Sequence, residues 1–140
     1  MSLFEICIAF GILAIVITFA TLSTQRSQVT IEQSSRQIMR ALTRIERTSI
    51  IGGQKIWLTY DPSCHCIQKH LETAQSKPLL ALHKHLQLTL NSAYKYNQLP
   101  ALLYSAKNFS SPASIVLNSS SQGTCVIKQS ILGARHNSCS

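Results

Sequence analysis

Histidine and cysteine are the side chains of this 140-residue chain best suited to chemistry, because both bind zinc and cysteines also pair as disulfides. Cys64, His65 and Cys66 are adjacent. The remaining histidines are His70, His83, His85 and His136. Structural zinc sites separate paired cysteines by about two to four residues, whereas one residue lies between Cys64 and Cys66. We therefore expect no metal and no other cofactor, and interpret the histidines as exposed strand residues.

Four of the five cysteines lie outside the apolar N-terminal segment: Cys64, Cys66, Cys125 and Cys139. This even number favours an oxidising compartment and up to two disulfides. A bridge from Cys64 to Cys66 would close a very short ring, so we expect each of these two to pair with Cys125 or Cys139. Four reduced thiols are the alternative.

Acidic residues are too few for an obvious acid–base site. After residue 46 they are Asp61 and Glu72 alone. The sequence also shows no glycine-rich phosphate loop and no serine-elbow motif. We therefore expect no enzymatic activity.

Basic residues outnumber acidic ones by 13 to 5, which favours an anionic partner without choosing its type. Four arginines recur at helical spacing and define one face: Arg36, Arg40, Arg44 and Arg47. Lys128 and Arg135 form a second candidate patch near the C-terminus. One interpretation is DNA binding through phosphate contacts. The other is a solvated face, or one that packs against acidic neighbours.

The segment before these residues is apolar. Ile6 to Leu22 has no charge, and Glu5 is the only charge among the first 25 residues. Together with Leu3 and Phe4 the run has the length of a transmembrane helix. A cleavable signal peptide needs a basic start, which is absent here, so we expect the helix to be retained. A carboxylate within a bilayer costs about 2.5–3.5 kcal/mol, so we expect Glu5 to have a partner.

Apolar residues continue at helical spacing beyond the span: Val29, Ile31, Ile38, Leu42 and Ile45. Gly52 and Gly53 then supply a helix-ending signal. These patterns predict one continuous helix from about Ser2 to Ile51. Its first half is apolar on every side. The apolar face of its second half must pack against a small domain.

Strand-forming residues follow the glycines. The expected strands are Lys55–Tyr60, His85–Asn91, Ser114–Leu117 and Thr124–Lys128, the last two joined by a hairpin loop over residues 118–123. Segments 67–82 and 93–113 contain prolines and are expected to be loops or short irregular elements. The prediction is an α+β chain with a transmembrane helix half at 1–25. A soluble domain at 26–140 places a small antiparallel sheet on the rest of the helix.

Ser2, Leu3 and Glu5, followed by the apolar run, resemble the processed N-terminus of the type IV pilin and type II secretion pseudopilin superfamily. Met1 stands where the family has Phe, and the basic leader ending in Gly is absent, so the register favours a processed chain. Ala41-Leu42 and Ile45-Glu46-Arg47, leading through Gly52-Gly53-Gln54 into a strand, are similar to the H-type minor pseudopilins. So is the terminal Gly133-Ala134-Arg135.

This resemblance implies a pilin-like fold and a function in assembly. Glu5 would meet the N-methylated amine of residue 1, here Met1, in a neighbouring subunit and set the axial register. An unpartnered carboxylate near the lipid headgroups is the alternative. The implied protein is a minor pseudopilin of a type II secretion pseudopilus. Its partners would be other pilin or pseudopilin subunits, membrane lipid and the assembly platform.

The implied location is the bacterial inner membrane, crossed once, with the C-terminal domain in the periplasm or outside. The positive-inside rule alone points the other way, because Arg26, Arg36 and Arg40 follow the span and no basic residue precedes it. A lost basic leader would resolve this conflict. The alternative functions are a minor type IV pilin that binds DNA during uptake and an unrelated single-pass protein.

Overall fold

The computed structural model describes residues 2–26, 30–107 and 110–140, which contain two helices followed by nine strands. The helices are α1 (Leu3–Arg26) and α2 (Ile31–Gly52). The strands are β1 (Ile56–Asp61), β2 (Cys66–Leu71), β3 (Ala74–Ala81), β4 (Leu86–Ser92), β5 (Lys95–Tyr96), β6 (Leu99–Tyr104), β7 (Ala113–Ser119), β8 (Gly123–Gln129) and β9 (Arg135–Cys139).

The first helix is apolar on every side. Its stretch Leu3–Thr21, 19 residues long, is by length and composition able to cross a membrane. Two hydroxyls within it are satisfied internally, since Thr18 donates to the Ala14 carbonyl at 2.7 Å and Thr21 to the Ile17 carbonyl at 3.0 Å. These threonines therefore add no unpaired donor to an apolar environment.

The second helix begins at its own cap. Thr30 is extended (φ −66°, ψ 147°), and its hydroxyl accepts a hydrogen bond from the Gln33 backbone N–H, while the Gln33 side chain accepts one from the Thr30 backbone N–H. The prediction of one uninterrupted helix from Ser2 to Ile51 is therefore wrong at Thr30. Val29, which we expected on the apolar stripe, lies outside the described residues. The helix ends as predicted, with Gly53 in the left-handed conformation (φ 64°).

One face of α2 is buried at the spacing the sequence predicts. Ile31, Ile38, Leu42 and Ile45 are at most 5% exposed. Serines occupy the remaining buried positions, Ser34, Ser35 and Ser49. Small side chains there let the sheet approach the helix closely, and two of them form hydrogen bonds. Ser49 donates to the Gln54 carbonyl at 2.7 Å, and Ser35 accepts from the Asn137 amide at 2.8 Å.

The strands form two antiparallel sheets rather than one. The five-stranded sheet has the order β3-β2-β1-β6-β5, and the four-stranded sheet has the order β4-β7-β8-β9. The four predicted strands are present as β1, β4, β7 and β8, and the β7–β8 hairpin closes between Ser119 and Gly123. β4 also contacts β1 and β6, which brings the two sheets together.

Segments 67–82 and 93–113 were wrongly predicted to be loops or short irregular elements, because they contain β2, β3, β5, β6 and the start of β7. Their prolines occupy positions where a missing N–H is tolerated. Pro78 lies on β3, which pairs with β2 alone and is an edge strand. Pro100 faces only the two-residue β5, outside the stretch of β6 that pairs with β1.

A single hydrophobic core lies where α2 meets the two sheets. Side chains that are at most 2% exposed come from both sheets and the helix, among them Ile38, Leu42, Leu58, Leu102, Leu117 and Ile127. α2 contacts β7, β8 and β9 of the four-stranded sheet and β3 and β6 of the other. The helix therefore fixes the relative position of the two sheets.

Truncating Ile38 at the centre of this contact tests the arrangement. Ile38 is 0% exposed, so Ile38→Ala should lower the free energy of unfolding by about 2–5 kcal/mol. Urea unfolding of the full chain in detergent micelles, followed by the fluorescence of Trp57, measures the change. Arg44→Ala, on the exposed face of the same helix, is the control and should stay within about 0.5 kcal/mol. Equal effects of the two substitutions would contradict the packing described here.

Candidate assembly site

The apolar surface of α1 has no cover within the described part of the chain. Large side chains along it are open to the surroundings: Phe4 is 72% exposed, Phe10 67% and Phe19 73%. A helix that is apolar all round is stable only inside a membrane or against other apolar helices. By length and composition, α1 is compatible with a membrane span.

Glu5 has a partner at the start of this helix. Its Oε2 accepts a hydrogen bond from the Ser2 backbone N–H at 2.8 Å, and the Ser2 hydroxyl accepts one from the Glu5 backbone N–H at 3.4 Å. This reciprocal pair is a capping box. A carboxylate in the first turn also faces the positive end of the helix dipole. The signal was present in the sequence as Ser-x-x-Glu, and our sequence reasoning missed it.

The cap does not replace the contact between subunits that the sequence resemblance implies. Met1, whose amine is the expected counter-charge, lies outside the described residues. Among the residues that are described, Ser2 is the one that hydrogen-bonds the Glu5 side chain. The carboxylate is otherwise exposed at the end of the helix, so it remains accessible to a second chain.

The disulfides join different cysteines from those expected. Cys64 pairs with Cys66, and Cys125 pairs with Cys139. The first bridge spans the β1–β2 turn, where His65 has φ 49° and the two Cα atoms are 5.2 Å apart. The second joins register partners on β8 and β9. Our expectation that Cys64 and Cys66 would each pair with Cys125 or Cys139 was therefore wrong: one bridge closes the turn between β1 and β2, and the other joins β8 to β9 in the other sheet.

Arg135, predicted to contact DNA, is instead buried against α2. Its side chain is 7% exposed, and Nη2 lies 2.7 Å from Glu46 Oε2. Nε donates to Gln129 Oε1 at 2.9 Å and Nη1 to the Thr43 hydroxyl at 3.2 Å. The guanidinium also lies 5.8 Å from the centre of the Tyr104 ring. Arg135 therefore ties β9 to the helix and is not available to an external phosphate.

The residues around Arg135 leave room for its ion pair with Glu46 and hydrogen-bond the side chains beside it. Gly133 has φ 80°, and a Cβ at this position would overlap the Glu46 carboxylate, so two constraints call for glycine. Burial raises the pKa of the Tyr104 hydroxyl, which donates to Gln129 Oε1 at 2.6 Å. Gln129 in turn donates to the Ser111 carbonyl at 2.9 Å. The structure thus explains the Gly-x-Arg sequence at 133–135: Gly133 leaves space for the Glu46 carboxylate, and Arg135 pairs with it.

The helical arginines are exposed as predicted, and the second basic patch is not formed. Arg36 forms a 3.8 Å ion pair with Glu32. Lys128 is exposed, but its β8 neighbours Ile127 and Gln129 point into the core, so Lys128 lies on the sheet face away from α2. With Arg135 buried, the candidate anion-binding surface is reduced to α2. Along it runs a cavity of about 650 Å³ lined by Met39, Arg40, Thr43, Arg44, Arg47, Thr48, Ile51 and Gly52.

The histidines do not converge. In residues 2–26, 30–107 and 110–140, no three His, Cys, Asp or Glu side chains are grouped as metal ligands. His70 packs on the five-stranded sheet instead. Its ring stacks on Tyr96 with centroids 4.4 Å apart, and its Nε2 forms a 2.8 Å hydrogen bond with the Thr59 hydroxyl. Tyr96 also lies 5.8 Å from Trp57. Desolvation lowers the pKa of His70.

This architecture of an apolar helix, a second helix and antiparallel sheets has the pilin-like α+β fold that the sequence resemblance implied. The solved structure of the minor pseudopilin EpsH from the type 2 secretion system of Vibrio cholerae superposes with a TM-score of 0.58. The match covers 77% of this chain and 95% of the EpsH chain at 13% sequence identity. At that identity the similarity is one of fold. No protein-family model and no curated protein sequence matches the chain.

Removing the Arg135 guanidinium should destabilise the domain. Arg135→Met leaves Glu46 without its partner, and we expect the free energy of unfolding to fall by about 2–4 kcal/mol. Glu46→Gln in the Arg135→Met background should recover part of this loss. Urea unfolding of the four chains of this cycle measures the coupling. The control is Lys128→Met on the adjacent strand, and a loss as large there would contradict the assignment.

Acid should weaken the packing around His70. Because its pKa is lower in the folded chain than its ordinary value of 6.5, the folded state binds fewer protons than the unfolded state. Its contribution is therefore complete above pH 6.5 and is lost as the pH falls towards the folded pKa. Below pH 6.5 the urea concentration at the unfolding midpoint should fall less steeply with pH in His70→Gln than in the unchanged protein. His83→Gln, at an exposed position, should leave this pH dependence unchanged. Identical pH profiles for both variants would refute this.

Proposed function

We propose that this protein is a structural subunit of a type II secretion pseudopilus, a minor pseudopilin of the H type. The observation that carries the proposal is the combination of a fold like that of a minor pseudopilin with an uncovered apolar helix, α1, that has Glu5 in its first turn. Assembly needs no reacting group, so we propose a non-enzymatic role. α1 packs with equivalent helices of neighbouring subunits, and the soluble domain adds lateral contacts.

We place the protein in the bacterial inner membrane, crossed once, with the domain of α2 and the sheets on the periplasmic side. The two disulfides support this side, because they persist in oxidising compartments. They outweigh the arginines after the span, since the positive-inside rule is one bias among several. Lipid, other pilin-like subunits and the membrane assembly platform are the proposed partners.

Glu5 sets the axial register in this proposal. Its counter-charge is the N-methylated amine of residue 1 in an adjacent subunit, because a carboxylate held among apolar helices needs a positive partner. The capping box found here holds the carboxylate at the helix start, where such an amine reaches it. One stagger of two parallel helices brings the two groups together, which fixes the repeat.

A second candidate function, DNA uptake as a minor type IV pilin, rests on the exposed arginines of α2 alone. Arg135, central to that hypothesis, is engaged by Glu46. A salt-titrated gel shift with the full chain in detergent tests DNA binding directly. Absence of a shift at low salt would contradict the DNA-uptake hypothesis.

Substitutions at Glu5 separate its charge from its role as a cap. Glu5→Ala should insert into the membrane normally and lose most of its incorporation into pseudopili. Glu5→Gln keeps an oxygen that accepts the Ser2 N–H hydrogen bond but has no charge. If the charge sets the register, Gln should fail as Ala does. Cross-linking and co-purification with the other subunits, relative to membrane content, measure incorporation.

Ser2→Ala is the matched control, because it removes the hydroxyl half of the capping box and keeps the carboxylate. We expect its incorporation to stay near that of the unchanged protein. Normal incorporation of Glu5→Gln together with loss in Ser2→Ala would show that the cap alone matters and would overturn the register argument.

A further inference from the structure

The exposed face of α2 carries an uncompensated positive charge. Arg40, Arg44 and Arg47 are exposed and line the cavity of about 650 Å³ along the helix. In the part of the chain that the structure describes, none of the three forms an ion pair. No carboxylate is among the described lining residues. The nearest acid in sequence, Glu46, is held by Arg135 on the sheet side of the helix.

The same cavity has apolar surface. Met39 and Ile51 line it together with the aliphatic stems of the arginines. Ile51 is 87% exposed at the end of the helix, next to Ile50 at 45%. Phosphate groups would pair with the guanidiniums and leave this apolar surface in water. A protein segment that carries both carboxylates and apolar side chains would satisfy both parts of the cavity.

A second copy of this chain is a poor source of such a segment, because its few carboxylates are scattered along the chain. The five acidic residues and their partners are Glu5 with Ser2, Glu32 with Arg36, Glu46 with Arg135, Asp61 with Ser63, and Glu72 with Lys55. Glu32 and Glu46 lie on α2 itself, the other three lie outside it, and 13 basic residues oppose the five. Two copies of the chain would bring like charges together.

We propose that the α2 cavity is a docking surface for an acidic, partly apolar segment of a different protein subunit. The interface is therefore heterotypic. Its partner presents carboxylates that pair with Arg40, Arg44 and Arg47, and at least one apolar side chain that covers Ile51. That the partner is a subunit of the same filament rests on the proposed function, whereas its acidic chemistry rests on the cavity itself.

Site-specific cross-linking in cells tests the docking surface on the full chain. A photoreactive phenylalanine at Thr48, an exposed lining residue, should form a cross-link with a different protein through a segment rich in Asp or Glu. Arg40→Glu, Arg44→Glu and Arg47→Glu combined should lower the cross-link yield at least tenfold. Changing the cross-linked acidic residues of the partner to Lys should restore it.

The matched control introduces the same three charge reversals at positions outside α2. Lys77→Glu, Lys84→Glu and Lys95→Glu alter three exposed lysines outside α2 and should change the yield less than twofold. A cross-linked dimer of this chain, recovery of DNA at the site, or a yield unaffected by the arginine reversals would overturn the proposal. An acidic partner outside any filament, with the same charge dependence, would support the docking surface and contradict the pseudopilus.

Discussion

The contact between Arg135 and Glu46 joins β9, the last strand of the chain, to α2, the helix against which both sheets pack. The guanidinium is almost wholly buried, so its charge must be matched inside the protein. Glu46, Gln129 and Thr43 together supply acceptors for three of its nitrogens. The geometry of neighbouring elements follows: Gly133 must lack a side chain, and Tyr104 must direct its hydroxyl to Gln129. One charged pair thus constrains α2, β6, β8 and β9 together.

The first helix obeys a different constraint. Nothing in the described domain covers its apolar surface, and Thr30 starts α2 as a separate helix with its own cap. The described residues therefore form a domain with its own buried core and a helix whose apolar surface that domain leaves uncovered. The role of the protein lies in what covers that helix, and in what meets the arginines that the domain leaves unpaired.

Local sequence patterns predicted much of the fold. The apolar run, the buried positions Ile38, Leu42 and Ile45, the glycine stop and the four most regular strands were all predicted. Two of the missed strands share a cause. β3 and β6 contain prolines that are tolerated because of where those strands sit in the sheet, and this is a property of the neighbours. The break at Thr30 was available locally as a Thr-x-x-Gln capping box, and so was the Ser2–Glu5 box.

The sequence by itself determined the apolar helix with its single carboxylate, the amphipathic second helix and the excess of basic residues, because composition and periodicity are properties of neighbouring positions. Only the tertiary structure decided which arginine is structural. Arg135 and Arg44 are the same residue type, and one is buried against Glu46 while the other is exposed beside a cavity. The pairing of Cys125 with Cys139 was decided in the same way, since cysteines pair by distance in the folded chain, and the register of β8 and β9 sets that distance.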